Sequence, residues 1–505
     1  MEFHFPSLPA ILALFIFIFM LMRRFKIQTT NSKLPPGPKK LPLIGNLHNM
    51  LAGHLPHRTL GDLAKQYGPL MHLQLGEVST IVVSSPKMAE QFMKTHDLIF
   101  ADRPQILATE VLSSGFGVSF SPYGSYWRQM RKLLMLELLS SKRVQSFQYI
   151  REEEVTNLIQ RFSLVLGSST NFSERIFSCI TDITSRAAFG KKCKDKESFV
   201  SCMHEIVKLA GGFDICDMFP SIKFLRLVSS TKHKLEKSDQ EISNIINNII
   251  MDHRENRTRE TKMAQELEED LVDALIRAQE NHEFEPAIKT ENMKSIIMDV
   301  FAAGTDTTAT VLEWAMSELM KHPRVMEKVQ SEVRHVFNGK KQIDEVELHK
   351  LDYLNSVIKE TLRLHPAGPL LLPRECREKC EINGYEIPKK AKVIVNAWAI
   401  ARDSEYWSDA EKFEPERFSS GCVDYRGTNF EYIPFGAGRR MCPGISFGIA
   451  NIELPLAQLL YHFDWKLPDG ITPEDLDMSE TFGSTVRRRN DLYLIPIPCN
   501  SVHVL

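Results

Sequence analysis

The segment Pro434-Phe435-Gly436-Ala437-Gly438-Arg439-Arg440-Met441-Cys442-Pro443-Gly444 restricts what this chain can fold into more than any other. Its glycines permit a tight turn whose backbone N–H groups can point at the cysteine sulfur. Pro443 is a favoured first-turn residue, and Ile445, Ile449, Ile452 and Leu454 continue an apolar helical stretch. The pattern predicts Cys442 at a helix N-terminus, where the macrodipole favours thiolate over thiol. Arg440 offers a fixed cation suited to a carboxylate, and Gly444 would let the helix lie against a flat group. A lone cysteine is more often a small buried hydrophobe. The spacing Phe435-x-x-Gly438-x-Arg440-x-Cys442-x-Gly444, however, would arise by chance in roughly one chain in ten thousand at average residue frequencies.

The rest of the chain can bury a large core around such a site, since 43% of its 505 residues are hydrophobic and 25% charged. A formal net charge of -2 lacks the basic footprint of a nucleic-acid binder. Nine cysteines scattered without a CxxC pair indicate thiols in a reducing compartment. The N-terminus departs from this average. Residues 8–22 form an uncharged apolar run, with Glu2 before it and Arg23, Arg24 and Lys26 after it. A secretory signal would carry its positive charge ahead of the run. The arrangement predicts an uncleaved transmembrane anchor over residues 1–26, with everything after it cytosolic. The sequons at Asn171 and Asn256 are then chance matches. Residues 27–46, containing Pro35, Pro36, Pro38 and Pro42, read as a semi-rigid hinge, and residues 47–505 as the catalytic body.

Helical patterns dominate that body. Met293, Ile296, Ile297, Val300, Gly304, Thr307 and Val311 recur at helical spacing up to His322-Pro323, and the helix is apolar on more than one face, hence buried. Ala303-Gly304-Thr305-Asp306-Thr307-Thr308 sets polar groups inside it, where Gly304 and threonines bonding back to carbonyls predict a local kink. A second helix through Leu354, Ile358 and Leu362 stops at His365-Pro366. The charge-dense residues 254–270 read as a solvated loop and a helix start. Asn383-Gly384 marks a hairpin, with a strand from Lys392 to follow. The chain should be mainly helical with small sheets.

The cysteine segment resembles the heme-binding signature of the cytochrome P-450 family, and three more motifs extend the resemblance over nearly the whole chain. Glu360-Thr361-Leu362-Arg363 matches ExxR, Trp127-Arg128-Gln129-Met130-Arg131 matches WxxxR, and residues 303–308 match the oxygen-activation segment. The resemblance implies a triangular helical body around a buried heme b, with Cys442 as the axial iron ligand. In that family the cysteine thiolate pushes electron density toward the iron and favours O–O cleavage. Trp127, Arg131, Arg440 and Arg374 are implied to meet the heme propionates, while Phe435, Gly438 and Gly444 complete the cofactor loop. Glu360, Arg363 and Arg417 form an implied structural triad. Thr307 and Asp306 are implied to be catalytic, handling protons during oxygen activation. The implied substrate pocket includes Phe116, Phe301, Ala302, Leu370, Leu371 and Phe482, an apolar lining suited to a hydrocarbon-like skeleton.

No flavin or nicotinamide fingerprint occurs in the chain, so electrons must come from a partner. The resemblance implies NADPH–cytochrome P-450 reductase at the endoplasmic reticulum membrane, docking near Arg128, Lys132 and Arg439. The wording of PPGPKKLPLIGN, AGTDTT, KETLRLHP and PFGAGRRMCPGI is similar to plant microsomal family-71 enzymes, near terpenoid hydroxylases. The expected function is a monooxygenase inserting one oxygen atom of O2 into a lipophilic small molecule, a sesquiterpene or diterpene foremost, with alkaloids and phenolics open. A reductase-independent heme-thiolate isomerase or dehydratase is disfavoured by the presence of Asp306 and Thr307, and a non-catalytic heme or ligand-binding protein by the presence of every motif.

Overall fold

The computed structural model describes residues 33–50, 55–112, 117–211, 213–260, 269–283, 285, 287–340 and 343–499. The predicted anchor, the first part of the hinge and Phe116 lie outside them. Among the described residues no helix is long and apolar enough to cross a membrane.

The centre of the molecule is the helix Thr290–Lys321, most of whose residues are buried. It ends at His322, and the next helix opens on Pro323, which needs no intrahelical N–H partner. Its main neighbours are the helices Phe172–Phe189 and Ile445–His462, so apolar side chains on several faces find cover. Helical structure is unbroken through Gly304. A Cβ at Gly304 would come 3.4 Å from Thr184 and 3.6 Å from Phe447, so the glycine serves close packing between helices. The helix Asp352–Leu364 stops at His365 before Pro366. The charged stretch differs from its reading as a loop, because the helix Ser230–Glu260 extends into it. Asp270 then caps the helix Leu271–Glu280 by accepting from the Asp273 amide.

The largest sheet orders the strands Leu70–Leu75, Val78–Val83, Lys392–Val395 and Arg374–Glu375. The second and third are parallel, with Thr80 opposite Lys392, and the other pairs are antiparallel. Cys380–Ile382 and Tyr385–Ile387 form a hairpin around Asn383 and Gly384, both at positive φ (52° and 79°), as a two-residue turn requires. The latter part of the hinge is not free. Pro36 accepts from the His72 amide at 2.8 Å, and a Cβ at Gly37 would stand 2.1 Å from the His72 oxygen. Asn46 bonds back to Pro38 and receives the Gln74 amide at 2.8 Å. The folded body therefore begins ahead of residue 47, with its proline segment laid along an edge strand.

Candidate active site

The triad is assembled by short-range helix geometry and then closed by a distant loop. Glu360 and Arg363, three residues apart, share a helix face. Arg363 donates to Glu360 through Nε at 2.7 Å and Nη2 at 2.8 Å, both side chains being fully buried. Arg417 adds its Nε at 3.0 Å, and the Glu414 amide donates at 2.8 Å. The remaining guanidinium donors reach the carbonyls of Ala401, Ala410, Lys412 and Ser408. The loop ahead of the cysteine segment is thus pinned to a buried carboxylate.

In that segment, Gly436 and Gly438 take φ of 69° and 70°. At Gly438 a Cβ would lie 2.0 Å from the Met93 oxygen, so only glycine fits. Phe435, part-buried, accepts the Cys442 amide at 3.0 Å and packs on Tyr425 with ring centroids 5.3 Å apart. The helix begins at Ile445, after Gly444, rather than at Pro443. Cys442 therefore precedes the helix by more than the sequence pattern suggested, and the helix dipole acts on it more weakly. Burial pushes its thiol up, against a hydrogen bond from the Gly444 amide and the charge of Arg131. A metal ion coordinated by the sulfur would deprotonate it outright.

Two observations test whether a heme fits. First, space opens where the centre of the molecule should be solid. Ala303 is exposed and Ala302, Gly304 and Thr307 are part-buried, although Phe301, Thr305, Asp306 and Thr308 beside them are buried. Cys442 lies deep among protein atoms, yet its surface is only partly covered. Both statements hold if it borders an interior void. The open stretches sit near each other, because Phe447 and Gly448, just after the cysteine, meet the long helix at Gly304 and Thr308. A Cβ at Gly444 would meet only the Cys442 sulfur, at 3.9 Å.

Second, buried cations gather beside this space. Arg103, Arg374 and Arg440 are all buried. Burial lowers Arg103 well below the usual guanidinium value, with repulsion from Arg440 and Arg374 adding to it. Arg440 falls to about 10 through burial and Arg374, and burial likewise lowers Arg131. Arg440 lies 4.5 Å and Arg131 5.4 Å from the Trp127 ring. Trp127 Nε1 donates to Val118 at 3.0 Å; Arg440 donates to Ala101 at 2.7 Å, and to Val118 and Ser121; Arg131 donates to Met441 at 2.8 Å. Arg374 is committed to Asp97 at 2.7 Å and the Ala437 carbonyl at 2.8 Å. An excess of buried positive charge next to a void suits a group carrying two carboxylates. A sulfur ligand, a void and an arginine set together fit a heme. Arg103 was missed by motif reading, because its surroundings are decided by the carbonyls of Ser119, Leu372 and Pro373 that hold it.

Asp306 and Thr307, adjacent on the helix, point to different surroundings. Thr307 Oγ1 donates to the Ala303 carbonyl at 2.6 Å, the back-bonding expected of a helical threonine. Both Asp306 oxygens are buried without a hydrogen bond. Arg487 at 3.5 Å supplies the nearest positive charge, and the His204 ring, kept toward its neutral form by burial and by Arg487, lies at 3.8 Å. Their side chains are part-exposed, so the carboxylate is linked to the outside through these two groups.

Leu370, Leu371 and Phe482 line a narrow, partly open cavity together with Ile106, Phe120 and Phe213. Leu371 also comes within 3.7 Å of a Cβ placed on Gly436, which ties this wall to the cysteine loop. Phe301 is instead enclosed by Phe199 at 4.4 Å and Phe189 at 6.0 Å, as helix packing rather than cavity wall. The cavity also holds Lys392, a charged group that the apolar reading of the pocket did not foresee, and Ser484. Alternation along the strand Lys392–Val395 was the available signal for the former.

Comparison with known proteins gives a consistent result. The sequence profile of the cytochrome P-450 family matches residues 35–494. The chain is 57% identical to desmethyl-deoxy-podophyllotoxin synthase of Sinopodophyllum hexandrum, over 98% of this chain and 97% of that protein. It is 50% identical to premnaspirodiene oxygenase of Hyoscyamus muticus (98% and 99% covered) and 51% identical to tabersonine 16-hydroxylase 1 of Catharanthus roseus (97% and 98% covered). A zebra fish cytochrome P-450 structure with progesterone shares the fold at a TM-score of 0.75 and 24% identity, covering 88% of this chain and all of that one.

Proposed function

Because the chain belongs to the cytochrome P-450 family and is therefore a heme-thiolate monooxygenase, we propose that it oxygenates a plant terpenoid of sesquiterpene or diterpene size. The observation that carries this reading is the largely apolar cavity beside the cysteine loop, in a chain about half identical to premnaspirodiene oxygenase. Salviol synthase of Salvia pomifera, 49% identical, points the same way. An alkaloid or phenolic substrate is the second reading, favoured by the likeness to tabersonine 16-hydroxylase 1 and by the polar groups in the cavity.

Heme b supplies, when bound, the iron centre at which O2 is activated. Cys442 Sγ is the residue to ligate it. Arg440, Arg131 and Trp127 would turn their donors to its carboxylates, with Arg374 and Asp97 steadying the wall behind. Phe435, Gly438 and Gly444 shape the loop that keeps the sulfur in place. Asp306 takes up a proton at its carboxylate from the side of His204 and Arg487, and Thr307 Oγ1 passes one on within the open stretch of the helix. Burial of the cavity wall excludes water from the substrate.

Electrons are proposed to come from NADPH–cytochrome P-450 reductase. Support comes from an exposed basic face next to the cysteine loop, where Arg128, Arg439 and Arg377 surround Tyr123 at 5.6, 5.8 and 5.9 Å, with Lys132 nearby in sequence. Placement on the endoplasmic reticulum membrane through residues 1–26 is supported by the apolar run and its basic flank. It is also supported by exposed Ile222, Phe224, Leu227 and Val228, whose segment reaches the Ile44 region through Glu77 and Gly76. The test is a terpene library offered to membranes containing this chain and a reductase. Product should require NADPH, reductase and O2, with one atom of labelled O2 incorporated. Full turnover without NADPH and reductase would refute the monooxygenase assignment, and products only from alkaloids or phenolics would refute the terpenoid reading.

A further inference from the structure

One short segment, residues 117–121, has its N–H groups and its carbonyls bound from opposite sides. On the N–H side stands Asp299, from the central helix. Its Oδ2 accepts the Ser119 amide at 2.9 Å, and the Ser119 hydroxyl and the Val118 amide donate to the same carboxylate. A Cβ on Gly117 would lie 2.2 Å from that oxygen, so the backbone comes as close as glycine permits. On the carbonyl side, Val118 accepts from Trp127 at 3.0 Å and from Arg440 at 3.3 Å, and Ser119 accepts from Arg103 at 3.0 Å. Arg440 also donates to the Ser121 carbonyl. The peptide dipoles therefore run from an enclosed anion to two buried arginines and a buried indole.

Nothing in its own helix demands an aspartate at this place. Asp299 lies well inside the helix, beyond reach of the N-terminal amides, and aspartate is a poor residue for a helix interior. Among the described residues no cation pairs with it. Burial raises its carboxyl to about 6, against these donors, so it is mainly ionised at neutral pH. A buried anion without a counter-ion persists only where donors surround it, and here they come from Val118 and Ser119. Hydrogen bonds to a charged group are about twice as strong as neutral ones, and linked bonds polarise one another. The carboxylate thus also strengthens the Val118 and Ser119 carbonyls as acceptors. Ala303 and Thr307 follow Asp299 at four-residue spacing, so the carboxylate shares the open strip of the central helix.

We propose that Asp299 is a positioning residue for heme retention: its carboxylate fixes residues 117–121, whose carbonyls keep Trp127 and Arg440 in place to meet the heme carboxylates. The proposal rests on those two side chains serving as the carboxylate donors.

The test follows transfer of heme to apomyoglobin from the full-length enzyme as wild type, Asp299→Asn, Trp127→Phe and the double variant. Melting temperature and the thiolate-type CO-difference spectrum are read alongside. Asparagine keeps the volume, offers one acceptor oxygen in place of two, and turns N–H groups toward the Val118 and Ser119 amides. Asp299→Asn should release heme about tenfold faster than wild type, as expected when buried donors lose their acceptor. In the Trp127→Phe background the same substitution should change the rate about threefold or less, because part of the path through which Asp299 acts is already gone. Release from Asp299→Asn at the wild-type rate would overturn the proposal. A larger change than expected in the Trp127→Phe background would also overturn it, since Asp299 would then act on the fold and not through the donors. Trp127→Phe releasing heme no faster than wild type would remove the donor reading on which the proposal rests, and the proposal with it. If Asp299→Asn fails to fold, Gly117→Ala takes its place in the same cycle with the same limits. That variant keeps the charge and presses a methyl group against the Asp299 oxygen.

Discussion

Replacing Glu360 with glutamine keeps the volume of the side chain and removes its charge. The carboxylate accepts from Arg363 twice, from Arg417 once and from the Glu414 amide, and neither Glu360 nor the Arg363 side chain has any solvent exposure. Glutamine offers one oxygen in place of two, and its amide N–H groups would face a guanidinium. Taking one partner from a buried ion pair costs about 3–5 kcal/mol, because the remaining charge stays in a medium that cannot solvate it. With an unfolding entropy of roughly 2.1 cal/mol/K per residue, a chain of this length should lose ~3–5 °C in melting temperature. The loss should be felt first in the stretch from Ala401 to Arg417, whose carbonyls Arg363 and Arg417 hold. That stretch leads into the cysteine loop, so heme content should fall along with stability. The assay is a melting curve and a heme-to-protein ratio for wild type, Glu360→Gln and Glu360→Asp, with the aspartate variant intermediate. A Glu360→Gln protein melting within about 1 °C of wild type with full heme content would refute the view that this carboxylate anchors the loop.

Cys442→Ala should lose the CO-difference spectrum characteristic of thiolate ligation, and retention of that spectrum would rule out Cys442 as the ligand. Thr307→Ala should keep its heme but lower the yield of product per NADPH by roughly tenfold, with the missing electrons recovered as hydrogen peroxide; coupling equal to wild type would remove Thr307 from proton handling. His253 gives a pH prediction. Burial would lower its imidazole, but the bond to Asp270 at 2.9 Å and the charge there raise it above the ordinary value. A raised imidazole stabilises the fold fully below the unfolded histidine value and loses that contribution as pH climbs through the folded one. The melting-temperature advantage of wild type over His253→Asn should therefore be larger at pH 6 than at pH 8.5, and an equal advantage at both would contradict the Asp270 pairing.

Much of the architecture was legible because its causes are local. Asn383-Gly384 turns because both positions need positive φ, and His365-Pro366 stops a helix because the residue before proline avoids helical angles. Glu360 and Arg363 meet because three residues bring a helix back to the same face. The cysteine loop was harder. Its glycines were readable as a turn, but the start of the following helix at Ile445 was not, since Pro443 suits a first turn equally well in isolation. The unbroken run of the helix through Gly304 was hard to read for a related reason. Glycine weakens an isolated helix, whereas here Thr184 and Phe447 close on the space it leaves and the helix runs on.

Taken alone, then, the sequence determined the helical character of this protein, its turn positions, the sulfur available to a heme and the motifs that place it in its family. Each of these depends on residues a few positions apart, whose geometry the backbone imposes directly. Tertiary structure alone decided that Arg103 joins Arg440 and Arg374, that Asp306 faces Arg487 and His204, and that Lys392 enters the cavity near Asp217. Those encounters join segments far apart in the chain. Their charges interact only because packing removes the water that would otherwise screen them.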